Sequence, residues 1–246
     1  MPSLLRFTQR RRSFKNLPIN YGKSNHLYML IVGAKGFAKE LLEVFAQLNE
    51  LDHLVFYDDV STELPDRLYD RFLILKHPEA AQEHFKKTGN NSFALGLSNP
   101  SLRMKMSEKF TQLGGKLASV VSPTAHVGHF DVEIGVGTTI LTGVIIENGV
   151  KIGKGCLINL KNSIAHDTQV GDFAEFAPGA SVNGGCVIGS YSQVGSNACL
   201  LPKITLGENC VVGAGSVVTT NLPANSVAVG VPSRVIKTLS PIRPTS

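Results

Sequence analysis

The chain has 246 residues, enough for one or two domains, and it is 43% hydrophobic and 17% charged, as folded globular proteins are. No apolar run approaches the ~18 residues of a membrane-spanning helix, so no membrane span is expected. The net charge of +5 comes from residues 1–28, which hold six Lys or Arg residues and no acid. The rest of the chain carries −1, so we expect no nucleic-acid-binding surface on the folded part.

Residues 1–28 form a basic leader. Such a segment occurs as a nucleic-acid or membrane-binding arm, or as an Arg- and Ser-bearing targeting peptide. It lacks the apolar core of a secretory signal. We favour a disordered tail or a non-native upstream start, with translation beginning at Met29.

Residues 29–117 alternate between short apolar runs and segments of helical periodicity. This pattern predicts a Rossmann-like α/β domain with a parallel sheet. The predicted strands are residues 29–32, 54–57, 72–75 and 93–95, and the predicted helices are residues 37–48 and a segment from Asn99 to the Gly114–Gly115 stop. The buried stripe of the second helix is predicted to be Leu102, Met106, Phe110 and Leu113.

From Ile134 to Val218 a large apolar residue stands at every sixth position, fifteen times in succession. A period of six fits neither a helix nor a single strand, and it is typical of a parallel β-helix with three short strands per coil. We therefore predict a β-helix domain over residues 118–237. Residues 222–236 should lie across the last coil, and residues 238–246 should form a loose tail.

The four cysteines lie within the repeat. Cys156, Cys186 and Cys210 occupy its small interior position, whereas Cys199 directly precedes an interior leucine. No CxxC pair occurs, so packed, reduced thiols of a cytoplasmic protein explain them better than disulfides or zinc.

A glycine turn joins the first predicted strand to the first helix, at Gly33–Gly36, and Asp58 follows 22 residues later. Backbone N–H groups at such a turn can bind an anion, and the acidic residue can accept hydrogen bonds from a sugar or base. Lys35 and Ala38 break the dinucleotide fingerprint, which argues against NAD. The motif then fits either a site for a nucleotide or sugar phosphate, or merely a tight turn.

His166 and Asp167 follow an interior isoleucine, so both should emerge at a corner of the coil. A solvent-facing histidine beside a carboxylate suits a general base at neutral pH. The alternative is an exposed turn pair without a role. Small residues around Ser196, Lys203 and Ala214 leave backbone amides open in a groove, where Lys203 is a phosphate candidate; ordinary packing is the alternative.

Several motifs together resemble one family, the bacterial sialic acid O-acetyltransferases and nucleotide-amino-sugar N-acetyltransferases. The motifs are Gly33-Ala-x-Gly36, Asp58-Asp59, Ala94-Leu-Gly96, the six-residue repeats, His166-Asp167 and Gly230-Val-Pro232-Ser-Arg-Val-Ile. The resemblance covers residues 29–237 and implies a left-handed β-helix, a homotrimer and acetyl-CoA as the acyl donor. The acceptor would be the amine of a nucleotide-linked amino sugar or, alternatively, a hydroxyl group of sialic acid or another sugar.

The resemblance also assigns roles. It implies that His166 is the general base and that Asp167 raises its basicity. The implied acetyl-CoA contacts are Glu175, Ser196 and Ala214, and the implied sugar-nucleotide contacts are Lys35, Gly36, Phe37, Asp58, Asp59 and Gly96. Amino-sugar members typically read Gly-x-Ser-Gly-His at the first turn, whereas this chain has Lys35 and Phe37 at the Ser and His positions. We therefore expect an acceptor that differs from a UDP-4-amino sugar.

Two other functions fit the same repeat. A metal enzyme of the γ-carbonic anhydrase kind needs three converging histidines, but His126 and His129 precede the regular coils and no second histidine shares the coil of His166. A β-helix without chemistry should carry regular Thr or Asn ladders, and these are missing. We therefore predict an acetyltransferase that binds no metal.

Overall fold

A computed structural model describes residues 29–242 of the protein. An α/β domain comes first, and a long β-helix follows it. The predicted leader, residues 1–28, lies outside the described residues. Within residues 29–242 no helix combines the length and apolar character needed to cross a membrane.

The α/β domain contains one six-stranded sheet, in the order β3-β4-β2-β1-β5-β6. All its pairings are parallel except that of β3 with β4. The strands are β1 (Leu30–Val32), β2 (Val55–Tyr57), β3 (Arg67–Leu68), β4 (Phe72–Leu75), β5 (Ser92–Leu95) and β6 (Lys116–Leu117). Strand order reverses between β1 and β5, and the carboxyl ends of the strands at such a reversal form a crevice that often binds ligands.

Three helices cover the sheet: α1 (Gly36–Gln47), α2 (Pro78–Thr88) and α3 (Pro100–Gln112). The buried residues of α1 pack on one side of the sheet, and those of α2 and α3 pack on the other. The apolar pattern did not single out α2, since only Ala81 and Phe85 are buried on it. Its ends carry usable signals, because Pro78 begins the helix and Gly89 closes it with φ 65°.

The predicted stripe of α3 was partly wrong. Phe110 is buried, but Leu102 is 40% exposed. The residues buried instead include Arg103, Met104 and Ser107. The reason is that α3 faces the β-helix as well as the sheet, and the β-helix presents backbone carbonyl groups to it.

The β-helix has three faces, each a column of strands stacked in parallel. The first face contains β7 (Val120–Val121), β10 (Thr139–Ile140), β13 (Leu157–Ile158), β16 (Glu175–Phe176), β19 (Gln193–Val194), β22 (Val211–Val212) and β24 (Ser226–Val229). The second contains β8 (His126–Val127), β11 (Ile145–Ile146), β14 (Ser163–Ile164), β17 (Ser181–Val182), β20 (Cys199–Leu200) and β23 (Val217–Val218). The third contains β9 (Glu133–Ile134), β12 (Lys151–Ile152), β15 (Gln169–Val170), β18 (Val187–Ile188) and β21 (Thr205–Leu206).

The repeat predicted from the sequence is confirmed. Each face pairs residues eighteen apart, as in Ile146↔Ile164 and Ile164↔Val182. Nearly all the large repeat residues are buried in one continuous core, and Cys156, Cys186 and Cys210 are buried with them as free thiols. We call the turns between the first and second faces the first corner, those between the second and third faces the second corner, and those between the third and first faces the third corner.

The last coil is completed by residues that follow the regular repeat. Leu222 bridges Leu206, and β24 continues the first face beside β22, so residues 222–229 extend the coil. Strand β25 (Arg234–Thr238) then folds back antiparallel to β24. The segment expected to be loose has contacts in its described part, because the Leu239 N–H donates to the Asn225 carbonyl and the Ser240 carbonyl accepts from Asn209.

The α/β domain lies against the first face and its two corners. Gln47, at the end of α1, bonds Ser122 and Thr142 near the first corner. Arg103 on α3 bonds the carbonyl groups of Gly155 and Phe173 at the third corner. The second face and the second corner contribute none of these contacts.

Candidate functional site

His166 and Asp167 lie together at the second corner, on the turn between β14 and β15. The ring nitrogen Nδ1 of His166 is 2.9 Å from Oδ2 of Asp167, and the side chains are 64% and 75% exposed. Asp167 has φ 60°, a left-handed conformation that Asp tolerates better than most residues. The turn therefore presents both side chains outward, as the sequence predicted for an accessible pair.

Neighbouring coils hold this pair in place. The backbone N–H of His166 donates to Oε2 of Glu147 at 3.0 Å, one coil before. One coil after, a methyl group at Gly184 would lie 2.6 Å from Nε2 of His166. A methyl group at Gly149 would similarly lie 2.6 Å from Oδ1 of Asp167. Both glycines leave the room that the two side chains need.

The electrostatics favour a basic imidazole. The hydrogen bond to Asp167 is the main cause that raises the pKa of His166 above its ordinary value, and the charges of Asp167 and Glu147 add to it. Nδ1 is engaged with Asp167, so Nε2 is the nitrogen available to take a proton from a substrate. This is the arrangement of an oriented general base.

A pocket of about 340 Å³ opens beside His166. It is lined by His126, Gly128, His129, Phe130, Glu147, Asn148 and His166. Three imidazoles thus share one pocket. The rings of His126 and His129 pack edge to face, with 6.5 Å between their centroids. Among residues 29–242 no group of three or more His, Cys, Asp or Glu residues is placed to hold a metal ion.

The predicted sugar-nucleotide residues meet at the carboxyl edge of the sheet. Gly33 donates its N–H to the Tyr57 carbonyl at 2.7 Å, and Gly96 donates to Val32 at 2.8 Å. A methyl group at Gly33, which has φ 113°, would lie 2.6 Å from the Gly96 carbonyl oxygen. The close approach of these glycines brings the ends of β1, β2 and β5 into the crevice.

The acidic residues of the crevice already bond within the chain. Asp58 accepts from the backbone N–H groups of Val60 and Ser61 at 3.2 and 2.8 Å. Asp59 accepts from Tyr57 at 2.7 Å and from Lys109 at 2.8 Å. Partial burial raises the pKa of Asp59, but these two hydrogen bonds outweigh it and hold the pKa below its usual value. Burial, helped by Asp59, raises the pKa of Tyr57 to about 12.

The first turn of α1 completes the crevice. Lys35 is the N-cap residue, and no side chain caps the N–H groups of this helix end. Its ammonium group lies 2.6 Å from the Glu63 carboxylate, and both side chains are more than half exposed. Gly36 is exposed, whereas Phe37 is half-buried and packs against the core beside α1.

The predicted coenzyme residues are not near His166 within one chain. Ser196 and Ala214 lie at the first corner, one coil apart, whereas His166 lies at the second corner. Lys203 lies at the second corner, and its N–H donates to the Gly184 carbonyl at 2.9 Å. Glu175 lies on the first face beneath α3, and its side chain is only 14% exposed.

The sequence patterns missed Arg103, the partner of Glu175. Arg103 is 1% exposed and its guanidinium lies 3.9 Å from the Glu175 carboxylate. It donates to the carbonyl groups of Gly155, Phe173 and Ala174 at 3.1, 2.7 and 3.0 Å, and also to that of Ser98. Burial lowers the pKa of Arg103 to about 10, although Glu175 opposes this, so Arg103 keeps its charge at neutral pH. The available signal was its spacing, because Arg103 stands three residues before Met106 and seven before Phe110, two members of the predicted stripe.

The two parts of the chain match two known families. Residues 29–110 match the PglD N-terminal domain, and residues 185–220 match the bacterial transferase hexapeptide repeat. The chain is thus similar to bacterial hexapeptide-repeat transferases and to proteins with a PglD-type N-terminal domain, in keeping with the resemblance of the motifs. The left-handed β-helix expected from that resemblance is confirmed.

One curated protein and two solved structures illustrate the similarity. A GDP-perosamine N-acetyltransferase of Escherichia coli O157:H7 is 29% identical over 163 residues, which are 64% of this chain and 71% of the relative. A mutant perosamine N-acetyltransferase from Caulobacter crescentus, solved with CoA and GDP-perosamine, superposes with a TM-score of 0.77 at 25% identity and covers 85% of this chain and 96% of its own. WeeI from Acinetobacter baumannii AYE gives a TM-score of 0.77 at 27% identity and covers 85% and 100%.

Proposed function

We propose that this protein moves the acetyl group of acetyl-CoA to the amine of a nucleotide-linked amino sugar, with His166 as general base. Relatives with CoA and GDP-perosamine bound support the enzyme class, the acyl donor and the acceptor class. The observation that carries the assignment to this chain is the His166–Asp167 pair, which lies exposed beside an open pocket.

The reaction needs one proton to move. Nε2 of His166 takes a proton from the acceptor amine while the amine nitrogen attacks the thioester carbonyl carbon. The tetrahedral intermediate then collapses with loss of the CoA thiolate, which recovers the proton from His166. Asp167 fixes the tautomer through Nδ1 and stabilises the imidazolium that forms.

We favour direct transfer over an acyl-enzyme. Cys156 is buried, and burial raises the pKa of its thiol to about 12, which suppresses the nucleophilic thiolate. Cys186 is also buried, and burial raises its pKa as well. The sulfur of Cys199 accepts from Nδ2 of Asn183 at 3.7 Å, whereas Nδ1 of His166 bonds Asp167.

We infer that the enzyme is a homotrimer in which neighbouring copies complete each site. The coenzyme residues that we propose, Ser196 and Ala214, lie at a different corner from His166, so one chain cannot bring them together. The second face has a surface row without Asp, Glu, Lys or Arg, suited to contact with another copy. The row is His126, Ile145, Ser163, Ser181, Cys199 and Val217.

The remaining proposed contacts lie in the α/β domain and beneath α3. Lys35, Gly36, Phe37, Asp58, Asp59 and Gly96 would hold the sugar nucleotide in the crevice. Glu175 is better explained as the buried partner of Arg103 than as a coenzyme contact, because α3 covers it. We place the enzyme in the cytoplasm, in keeping with its four free cysteines and its acetyl-CoA donor.

The test measures thiol release from acetyl-CoA by the purified enzyme with UDP-, GDP- and CMP-linked amino sugars, free amino sugars and sialic acid. We expect release with a nucleotide-linked amino sugar and a loss of about 10²- to 10⁴-fold in His166→Ala. Release with sialic acid alone would replace the N-acetyl assignment with the O-acetyl one. Unchanged release in the variant would remove His166 as the base, and an active monomer in light scattering would contradict the shared site.

A further inference from the structure

The pocket beside His166 has one apolar wall. Phe130 is 72% exposed, which is unusual for a phenylalanine, and its ring lines the pocket. The other lining side chains, His126, His129, Glu147 and Asn148, are polar. An exposed aromatic face opposite hydrogen-bonding groups is suited to a ligand with one apolar face and polar edges.

The backbone holds Phe130 in this position. Its N–H donates to Oδ1 of Asn148 at 3.1 Å, and its carbonyl accepts from the N–H of Gly149 at 2.9 Å. The next residue, Asp131, is in the left-handed conformation with φ 54° and bonds Lys151. Phe130 is therefore fixed by the turn on which it stands and not by burial of its own side chain.

The turn of the next coil, residues 147–149, also supports the His166–Asp167 pair. The Asn148 carbonyl accepts from the N–H of Asp167 at 3.2 Å, and Glu147 binds the N–H of His166. Residues 147–149 thus hold Phe130 on one side and His166–Asp167 on the other. The distance between the ring of Phe130 and the imidazole is set by one short rigid segment.

The position of the pocket along the β-helix indicates which substrate it receives. Phe130 and Glu147 lie in the two coils before His166, whereas Ser196 and Ala214 lie in later coils. If the donor approaches His166 from the later coils, the earlier coils are free for the acceptor. The two substrates then occupy different parts of the corner, and the amine and the thioester can meet at His166.

We propose that this pocket is the acceptor-sugar subsite and that Phe130 is its specificity-determining wall, stacking on a face of the sugar ring. The proposal rests on the proposed function. His126 and His129 offer ring nitrogens to the sugar hydroxyl groups, and His166 meets the amine. Phe130 contacts the sugar ring and not the nucleotide part of the acceptor.

The experiment compares Phe130→Ala with the wild type, varying the acceptor at saturating acetyl-CoA and, in a second series, acetyl-CoA at saturating acceptor. We expect the KM for the nucleotide-linked amino sugar to rise roughly 10-fold through loss of the aromatic contact. The KM for acetyl-CoA, the inhibition constant of the free nucleoside diphosphate and the melting temperature should stay unchanged. Phe130→Tyr should restore most of the affinity, because it keeps the ring face.

Val187→Ala is the matched control, since Val187 is an exposed apolar residue on the third face. An unchanged acceptor KM in Phe130→Ala would overturn the proposal, and so would a rise confined to the KM for acetyl-CoA. A rise in the inhibition constant of the free nucleoside diphosphate would also overturn it. A wild-type enzyme that transfers acetyl to no acceptor would instead refute the proposed function.

Discussion

The crevice of the α/β domain and the second corner of the β-helix differ in how far their polar groups are already engaged. In the crevice, Asp58, Asp59 and Lys35 all have partners within the chain. At the corner, His166 uses one ring nitrogen for Asp167 and stands beside an open pocket. A ligand must exchange partners to bind the crevice, whereas the corner is organised before the substrate arrives.

This difference suits the two tasks that we propose for the crevice and the corner. Binding a charged nucleotide tolerates exchange of exposed ion pairs, because each costs little to break. Catalysis benefits from groups that need no rearrangement when the transition state forms. Substitutions can test the link between the two regions first, then the corner, and then the crevice.

The largest expected effect is on the contact between Arg103 and the β-helix, which links the two regions. Arg103→Met should lower the free energy of unfolding by about 3–5 kcal/mol, because it leaves Glu175 buried without a counter-charge. The carbonyl groups of Gly155 and Phe173 also lose their donor. Urea denaturation followed by circular dichroism measures this change.

Lys109→Met on the same helix is the control, since its partly exposed pair with Asp59 should contribute no more than about 1 kcal/mol. Adding Glu175→Gln to Arg103→Met should recover part of the loss by neutralising the stranded carboxylate. Equal denaturation midpoints for Arg103→Met and Lys109→Met would show that the link is not a buried ion pair.

An intermediate effect is expected at the corner, in the pH dependence of the rate. His166 must be neutral to act as a base, so the rate rises with pH through its raised pKa. Asp167→Asn removes the main cause of the raised pKa and should move this rise to lower pH, with a lower plateau. Glu147→Gln removes only the smaller charge contribution to the raised pKa and should move the rise less, in the same direction.

In the Glu147→Gln variant the new amide oxygen could still accept from the N–H of His166, so Glu147→Ala separates the charge from the hydrogen bond. Profiles of kcat/KM from pH 5 to 9 give the midpoints. A shift to higher pH in Asp167→Asn would mean that the titrating group is not His166.

The smallest effect is expected in the crevice. Glu63→Gln frees the Lys35 ammonium, so the KM for the nucleotide sugar should fall, by roughly 2-fold to 5-fold. Lys35→Met should raise it, and neither variant should change the KM for acetyl-CoA. A higher KM in Glu63→Gln would show that Glu63 itself contacts the substrate.

The sequence predicted the β-helix well because its interior repeats a single physical requirement. Each coil needs a large residue every six positions, and stacking makes any break in that register costly. The corner position of His166 follows from the same count. Four strands and two helices of the α/β domain were also predicted, whereas the short strands β3 and β6 and the helix α2 were not.

What the sequence could not predict depends on contacts between distant segments. Arg103 is buried only because carbonyl groups 52 to 71 residues away face α3. The same packing covers Glu175, whose place in the repeat alone suggests an accessible side chain. The pocket at His166 similarly depends on Phe130, which lies in an irregular turn before the regular coils.

Strand β25 has a consequence for assembly. A β-helix that simply stopped would present bare strand edges, onto which the first coil of another molecule could stack and begin a filament. On the first face β25 occupies that edge, and because it runs antiparallel it breaks the parallel template. Arg234 and Lys237 also place positive charge at this end, so two copies that met through their C-terminal ends would repel each other. The hairpin of β24 and β25 thus helps to prevent β-helices of different molecules from stacking end to end.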